Sequence, residues 1–539
     1  AERLKTPESL RDLSVSLNNV GGAAQVAGDH AAAAKAYAES LEMRRDLAER
    51  LKTPESLRDL SVSLNNVGGA AQVAGDHAAA AKAYAESLEV ARDLAERLKT
   101  PESLRDLSVS LNNVGGAAQV AGDHAAAAKA YAESLEVARD LAERLKTPES
   151  LRDLSVSLDK VSGAAQVAGD HAAAAEAYAE SLEVARDLAE RLKTPESLRD
   201  LSVSLDNVGD AAQVAGDHAA AAKAYAESLE VRRDLAERLK TPESLRDLSV
   251  SLNNVGGAAQ VAGDHAAAAK AYAESLEVRR DLAERLKTPE SLRDLSVSLD
   301  NVGGAAQVAG DHAAAAKAYG ESLEVRRDLA ERLKAPGSLR DLSVSLDNVG
   351  GAAQVAGDHA AAAKAYGESL EVRRDLAERL KTPESLRDLS VSLNNVGGAA
   401  QVAGDHAAAA KAYAESLEVA RDLAERLKTP GSLRDLSVSL NNVGGAAQVA
   451  GDHAAATKAY GESLEVARDL VERLKTPESL RDLCVALYLN SSLHIKMARL
   501  DEAAVFVDEG ETLATSIPEF MRDEVVSAFQ GLRTLLDQS

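Results

Sequence analysis

The sequence contains no tryptophan, one cysteine, three methionines and three phenylalanines in 539 residues. A lone thiol, Cys484, excludes a disulfide framework within one chain and suits a reducing compartment, so the expected setting is cytoplasmic. No apolar run approaches the roughly 20 residues that a membrane-spanning helix needs, and no leader segment is visible. Strand-like alternation of valine and isoleucine is missing. Also missing are a phosphate-binding glycine loop, a nucleophile elbow and paired Cys or His ligands. The chain therefore reads as a non-enzyme with no cofactor and no metal. A basic stripe is lacking as well, because the formal net charge is −24. That balance argues against nucleic acid and against an anionic membrane surface as partners.

What is present is repetition, and that takes precedence in any reading of fold. The string AERLKTPESLRDL begins at Ala1 and returns, with small changes, every 47 residues to Ala424, then as VERLKTPESLRDL at Val471. Ten tandem repeats thus occupy residues 1–470. A divergent eleventh repeat and a closing helix, expected from Pro518 with Phe520, Val525, Phe529, Leu532 and Leu536 on one face, occupy 471–539 and read as a C-terminal cap. Because AERLK ends a helix in every later repeat, its place at the start suggests a fragment of a longer protein.

Within one repeat, Thr6-Pro7 reads as a helix start and Gly28-Asp29 as a break followed by a second cap. Leu10, Leu13, Leu17, Val20, Ala24 and Ala27 step by three and four, predicting a helix over about 7–27. Ala33, Ala36, Tyr37, Ser40, Leu41, Leu47 and Leu51 predict a second helix of about 23 residues. A connection of about two residues makes the pair antiparallel. Gly21 and Gly22 inside the first helix suggest close backbone approach, since each costs about 1 kcal/mol relative to alanine.

The segment Leu17 to Leu41, LNNVGGAAQVAGDHAAAAKAYAESL, resembles the tetratricopeptide repeat. Val20-Gly21 stands for the Leu-Gly pair, Gly28-Asp29-His30 for the Gly-Asp-Tyr turn, and Ala33, Tyr37 and Ser40 for the small, aromatic and small positions of the second helix. The repeat is longer than the usual 34 residues, as in kinesin-light-chain-like variants and long bacterial arrays, and alanine replaces the first-helix aromatic. The resemblance implies an all-α, right-handed α-solenoid, a superhelix of antiparallel helix pairs. It also implies a bacterial protein-interaction scaffold that binds a protein or peptide in its concave groove.

By the resemblance, the groove-facing residues are those at Val15, Asn18, Asn19, Gly22, Gln25 and Val26 and their equivalents. The candidate binding ladder comprises Asn18, Asn19 and Gln25; Asn65, Asn66 and Gln72; and Asn112, Asn113 and Gln119. It continues through Asp159 and Lys160; Asp206, Asn207 and Asp210; Asn253 and Asn254; Asp300 and Asn301; Asp347 and Asn348; Asn394 and Asn395; and Asn441 and Asn442. Asparagine amides both donate and accept, which suits an extended backbone. The differences between repeats cluster on this ladder, as though a recognition surface were being retuned, whereas Arg44 and its alanine replacements read as outer charged surface. The groove is expected to be negatively charged, and the paired cations that clamp a peptide carboxylate are missing from it. The histidine column from His30 to His453 reads as turn residues filling the family's aromatic position. Two other readings remain: a sensor arm behind an N-terminal effector such as a signalling ATPase or caspase-like protease, and a self-associating structural solenoid.

Overall fold

The computed structural model describes residues 6–517 and 519–538, with the side chains of 26 and 519–521 excluded. The sequence expectations for residues 1–5, for Pro518 and for the side chains of Val26 and Phe520 lie outside the described residues. Twenty helices alternate at the 47-residue period, from α1 (Pro7–Val26), α2 (His30–Leu51), α3 (Pro54–Val73) and α4 (His77–Leu98) to α19 (Pro430–Val449) and α20 (His453–Leu474). Among these are α7 (Pro148–Val167), α9 (Pro195–Val214) and α12 (His265–Leu286). Three more helices follow: α21 (Pro477–Lys496), α22 (Leu500–Ala514) and α23 (Glu519–Gln538). No strand occurs among the described residues. By contact the chain divides into two blocks, residues 1–271 and 272–539, with the division inside α12.

Each helix boundary has a local cause. Thr53 is extended (φ −82°, ψ 154°) and its hydroxyl accepts from the Ser56 N–H at 3.2 Å. Ser56 Oγ accepts in return from the Thr53 N–H at 3.1 Å, closing a reciprocal cap ahead of Pro54. Repeat eight lacks this device, because Ala335 replaces the threonine and no side-chain cap forms. At the other end of the first helix, Gly28 takes φ 78°, and Asp29 caps the second helix by accepting from the Ala32 N–H at 3.0 Å. The second helix is 22 residues long and ends on a lysine, not on the Thr-Pro step. Lys52 and its equivalents hold φ between 50° and 54°, which costs a non-glycine residue about 1 kcal/mol or more.

Two apolar clusters per repeat hold the stack, one toward each end of the helix pair. In the first, Ala80, Tyr84 and the next repeat's Ala117 pack with Ala71 and Val114. In the second, Ala91 and Ala95 of α4 meet Leu107 and Leu111 of the helix that follows it. The glycine inside the first helix serves the tyrosine ring. A Cβ on Gly68 would lie 2.5 Å from Tyr84 Cε1, whereas one on Gly69 would meet only the hydroxyl, at 3.7 Å. The close approach anticipated from sequence is thus between helix backbone and ring.

Between the two clusters runs a polar seam. Ser87 Oγ lies 2.8 Å from Ser61 Oγ of its own repeat and 3.2 Å from Ser110 Oγ of the next. It also donates to the Ser61 carbonyl at 3.1 Å, and all three serines are buried. Each of these three hydroxyls finds a partner, which spares it the cost of an unsatisfied buried polar group, whereas Ser63 Oγ, the equivalent of Ser110 one repeat earlier, is buried without one.

Adjacent repeats are also stitched by ion pairs. Arg58 Nε meets Asp106 at 2.6 Å between first helices, and Arg92 meets Glu133 at 2.5 Å between second helices. Equivalent pairs recur along both blocks, for example Arg387–Asp435 and Arg468–Glu509. Being partly exposed, each contributes between 0 and about 1 kcal/mol. In the C-terminal part, Leu483, Cys484, Leu487, Val507, Ile517, Phe529 and Leu532 form a larger cluster, with Val525 and Leu536 packed against it.

Candidate functional site

Within each block, the first helices of adjacent repeats come within 8 Å of each other between Cα atoms, with one exception, the pair α7 and α9. Second helices of adjacent repeats do not approach so closely among the described residues. The first helices therefore form the tighter layer.

On this layer the structure separates the candidate ladder into columns with different surroundings. The column of Asn18, Asn65, Asn112, Asn253, Asn394 and Asn441 has its carbonyl oxygens buried. Asp159, Asp206, Asp300 and Asp347 stand in the same column and are buried at one carboxylate oxygen each. The neighbouring column of Asn66, Asn113, Asn207, Asn254, Asn301, Asn348, Asn395 and Asn442 is half-buried, while Asn19 and Lys160 are exposed. Gln25, Gln72 and Gln119 accept the hydroxyls of Tyr37, Tyr84 and Tyr131 at 3.2–3.3 Å. The two Asx columns are linked across repeats, because Asp206, Asp300 and Asp347 bond Asn254, Asn348 and Asn395 of the following repeat.

The Arg44 column corrects the sequence reading. These arginines do not lie on the outer charged surface; Arg44, Arg232, Arg326 and Arg373 are 4–6% exposed. Arg232 reaches Asp206 at 2.7 Å, Arg326 reaches Asp300 at 2.6 Å and Arg373 reaches Asp347 at 2.7 Å. Each also enters the serine seam, as Arg326 does by donating to Ser296 Oγ and Ser345 Oγ at 3.0 Å. Where the inner column holds asparagine, the equally buried arginine pairs across the repeat boundary instead: Arg44 with Asp59 of the next repeat and Arg279 with Asp294. Three of the four inward aspartates are therefore counterions for a buried arginine. Burial still pushes the carboxyls of Asp206, Asp300 and Asp347 upward, opposed by the arginine at each.

What the layer exposes is a different set. In repeat two, Val62 is 47% and Val73 49% exposed, with half-buried Asn66 and Gly69 between them. The spacing of four, three and four residues places these on one line along the helix. The same line recurs as Val109, Asn113, Gly116 and Val120, and as Val391, Asn395, Gly398 and Val402, with both valines exposed each time. It is uncharged through its centre in every full repeat except the fourth and fifth, where Lys160 and Asp210 enter. Asp210 is the one acidic side chain at the centre of this stripe in the ten full repeats. The histidines from His30 to His453 are exposed residues at the start of the second helices. Among the described residues, no three His, Cys, Asp or Glu side chains are grouped to hold a metal ion, and no helix is long and apolar enough to cross a membrane.

The arrangement is that of a tandem, tetratricopeptide-like array of antiparallel helix pairs. No protein-family profile matches the sequence, and no curated protein matches it. Solved structures do. BtubC (BKLC) from P. vanneervenii is 21% identical over 46% of this chain and 89% of its own, with a TM-score of 0.38. The apo form of RapI is 12% identical over 77% of this chain and 99% of its own, with a TM-score of 0.47. A signal transduction ATPase with numerous domains and a tetratricopeptide repeat sensor, from Pyrococcus horikoshii, is 12% identical over 71% of this chain, with a TM-score of 0.40. This chain spans 52% of that protein's length.

Proposed function

We propose that this tetratricopeptide-like array is a non-catalytic scaffold that holds an extended segment of a partner protein along its first helices. The observation that carries this reading is the repeated stripe of exposed valine, half-buried asparagine and glycine, and exposed valine. Solvent-facing apolar residues scattered singly need no explanation, but the same pair of exposed valines flanking an uncharged asparagine and glycine in repeat after repeat suits an interaction surface. Glycine at the centre of the line leaves room for a backbone, and the asparagine amide offers both a donor and an acceptor to it. Rigid helices on a serine-bonded seam hold these groups in place before binding, which lowers the ordering cost.

The test uses the full chain as bait, with Val109→Asp and Val391→Asp introduced together. Partners captured by the unaltered chain should be lost from this variant and retained by Lys129→Ala, which alters a second helix away from the stripe. Retention of the same partners by the valine variant would remove the stripe from the binding surface.

A further inference from the structure

Two cavities between consecutive repeats are lined at the same ten positions of the repeat and differ at only two of them. The first, between repeats five and six, is lined by Leu235 and Leu239 among others and has a volume of about 130 Å³. The second, between repeats seven and eight, has Leu329 and Leu333 in their place and a volume of about 270 Å³. The differences are Ala335 where the first has Thr241, and Gly337 where it has Glu243. The larger cavity has thus lost a hydroxyl and a carboxylate.

The smaller cavity shows what that carboxylate does. Arg199 of α9 bonds two acids there, Glu243 through Nη1 and Asp247 through Nε at 2.9 Å. Its equivalent Arg293, on α13 (Pro289–Val308), keeps only the second contact, reaching Asp341 through Nε at 2.9 Å. Its Nη1 has no partner among the described residues. Exposure along this arginine ladder follows the glutamate. Arg293 and Arg387, whose next repeats carry Gly337 and Gly431, are 63% and 57% exposed in their side chains. Where the next repeat carries glutamate, as for Arg11, Arg58, Arg105, Arg340 and Arg434, the range is 40–54%. The lining shifts in charge as well, from three carboxylates against two guanidiniums to two against two. Nothing in the packing calls for glycine at 337, because a Cβ there would meet no atom within 4 Å and its φ is not positive. The helix it belongs to, α15 (Pro336–Val355), forgoes both a side-chain cap and an acid in its first turn, two features that stabilise a helix start. Two costly changes in one repeat therefore widen one cavity.

We propose that the cavity between repeats seven and eight is a subsite for a glutamate side chain of the bound partner, whose carboxylate takes on Arg293 Nη1 the place that Glu243 holds on Arg199. Charge-assisted bonds from a guanidinium to a carboxylate are among the stronger polar contacts. The methylene stem of the incoming side chain packs on exposed Leu333, in the space left at Ala335 and Gly337. An added carboxylate also returns the lining to the charge balance of the smaller cavity. A basic side chain would instead meet the guanidiniums of Arg293 and Arg326. The partner thus completes a contact that the chain makes with its own residue two repeats earlier. The inference rests on the binding reading above for its biological setting, and α15 also carries the stripe residues Val344 and Val355, but its test does not need the stripe.

The test follows hydrogen exchange of the full chain by mass spectrometry in the fragment 333–340, whose sequence LKAPGSLR occurs once in the chain. Titration with N-acetyl-glutamate N-methylamide should slow exchange there, and the neutral N-acetyl-glutamine N-methylamide, at matched ionic strength, should bind roughly tenfold more weakly. Arg293→Gln should weaken the glutamate probe by a similar factor. Gly337→Glu, which supplies the residue found at this place in repeat six, should fill the site from within and abolish the response. Gly431→Glu, the same change in repeat ten, should leave the response as it was. No protection by the glutamate probe, equal protection by the two probes, or a Gly337→Glu chain that still responds would overturn the proposal. The probe response should persist in the chain carrying Val109→Asp and Val391→Asp, so that failure of the stripe and failure of the subsite are told apart.

Discussion

Arg232 and Asp206 meet at 2.7 Å inside repeat five, and each is nine-tenths buried. The same arginine position in repeat one pairs instead with Asp59 of the following repeat, because Asn18 stands where Asp206 does. One buried guanidinium thus has two settings, chosen by a single side chain twenty-six residues earlier. Removing one partner of a buried pair costs more than removing both. Arg232→Ala should destabilise by on the order of 3 kcal/mol, while Arg232→Ala with Asp206→Asn, the Asn/Ala combination that repeat two carries naturally, should recover most of the loss. A double-mutant cycle by urea denaturation, with hydrogen exchange to localise the effect, checks this; additive losses would refute the coupling.

Asp159 should behave in the opposite sense. Burial pushes its carboxyl above the ordinary range, opposed by hydrogen bonds from Ser181 and Asn207 and by the charge of Lys160. A raised folded-state value means the native state prefers the protonated acid. Stability from this group is therefore present at low pH and lost as pH rises from the unfolded value of about 3.9 through the raised folded one. Asp159→Asn should be more stable than the unaltered chain near neutrality, with the advantage growing across that window and level above it. Denaturation midpoints compared from about pH 4 to pH 7 measure this, and an advantage that shrinks with rising pH would contradict it.

Two neighbouring glycines should respond with opposite sign to the same change. Gly69→Ala meets only ordinary contact with the Tyr84 hydroxyl and should gain up to about 1 kcal/mol from helix propensity. Gly68→Ala would drive a methyl into the Tyr84 ring and should lose about 1–3 kcal/mol from overpacking. Calorimetry on the pair decides whether the ring contact or the propensity dominates.

Repeat eight offers a missing cap to restore. Ala335→Thr re-creates with Ser338 the reciprocal bond seen at Thr53 and Ser56, and should stabilise by about 1 kcal/mol. Protection of the first turn of that helix against hydrogen exchange should rise, with repeats further away unaffected.

Cys484 should report on the C-terminal cluster. It is buried, and its thiol is pushed up to about 11, first by burial and then by Glu509. At pH 8 the native thiolate fraction is then about 100-fold below that of an ordinary thiol. Iodoacetamide should label the native chain at least that much more slowly than the chain in urea, and labelling should track loss of the cluster. Rapid native labelling would show the cluster open.

The 47-residue period, the helix pair, the turn at Gly28 and the caps at Thr6 and Asp29 were legible because each rests on local chemistry: proline at N1, glycine past a C-terminus, a side-chain oxygen ahead of a helix. The helix end at Lys52 was not legible, since lysine has no preference for positive φ, and only the geometry of the following cap places it there. Arg44 was misplaced because an arginine beside Arg45 on a charged helix resembles a solvated face. The signal was nevertheless available: aspartate at the inner column coincides with arginine twenty-six residues later in three repeats of four. Serines at 14, 16 and 40 recur in all ten repeats, yet a buried serine seam has no hydrophobic period to announce it. The candidate ladder was found as one set, and only side-chain burial divides it into an inner column and an exposed stripe.

The ion-pair ladders join residues 48 and 41 apart, such as Arg58 with Asp106 and Arg92 with Glu133, and so each ladder uses the same two positions of consecutive repeats throughout. Excising any 47-residue stretch within the array leaves the same pair of residue types facing each other across the new junction, so a change of repeat number is expected to preserve the ladders. The gene can change its reach while keeping its joints. The exception is the junction of repeats four and five, where Lys160, Ser162 and Asp210 depart from the shared sequence. A cut that removes either repeat would take part of that departure with it.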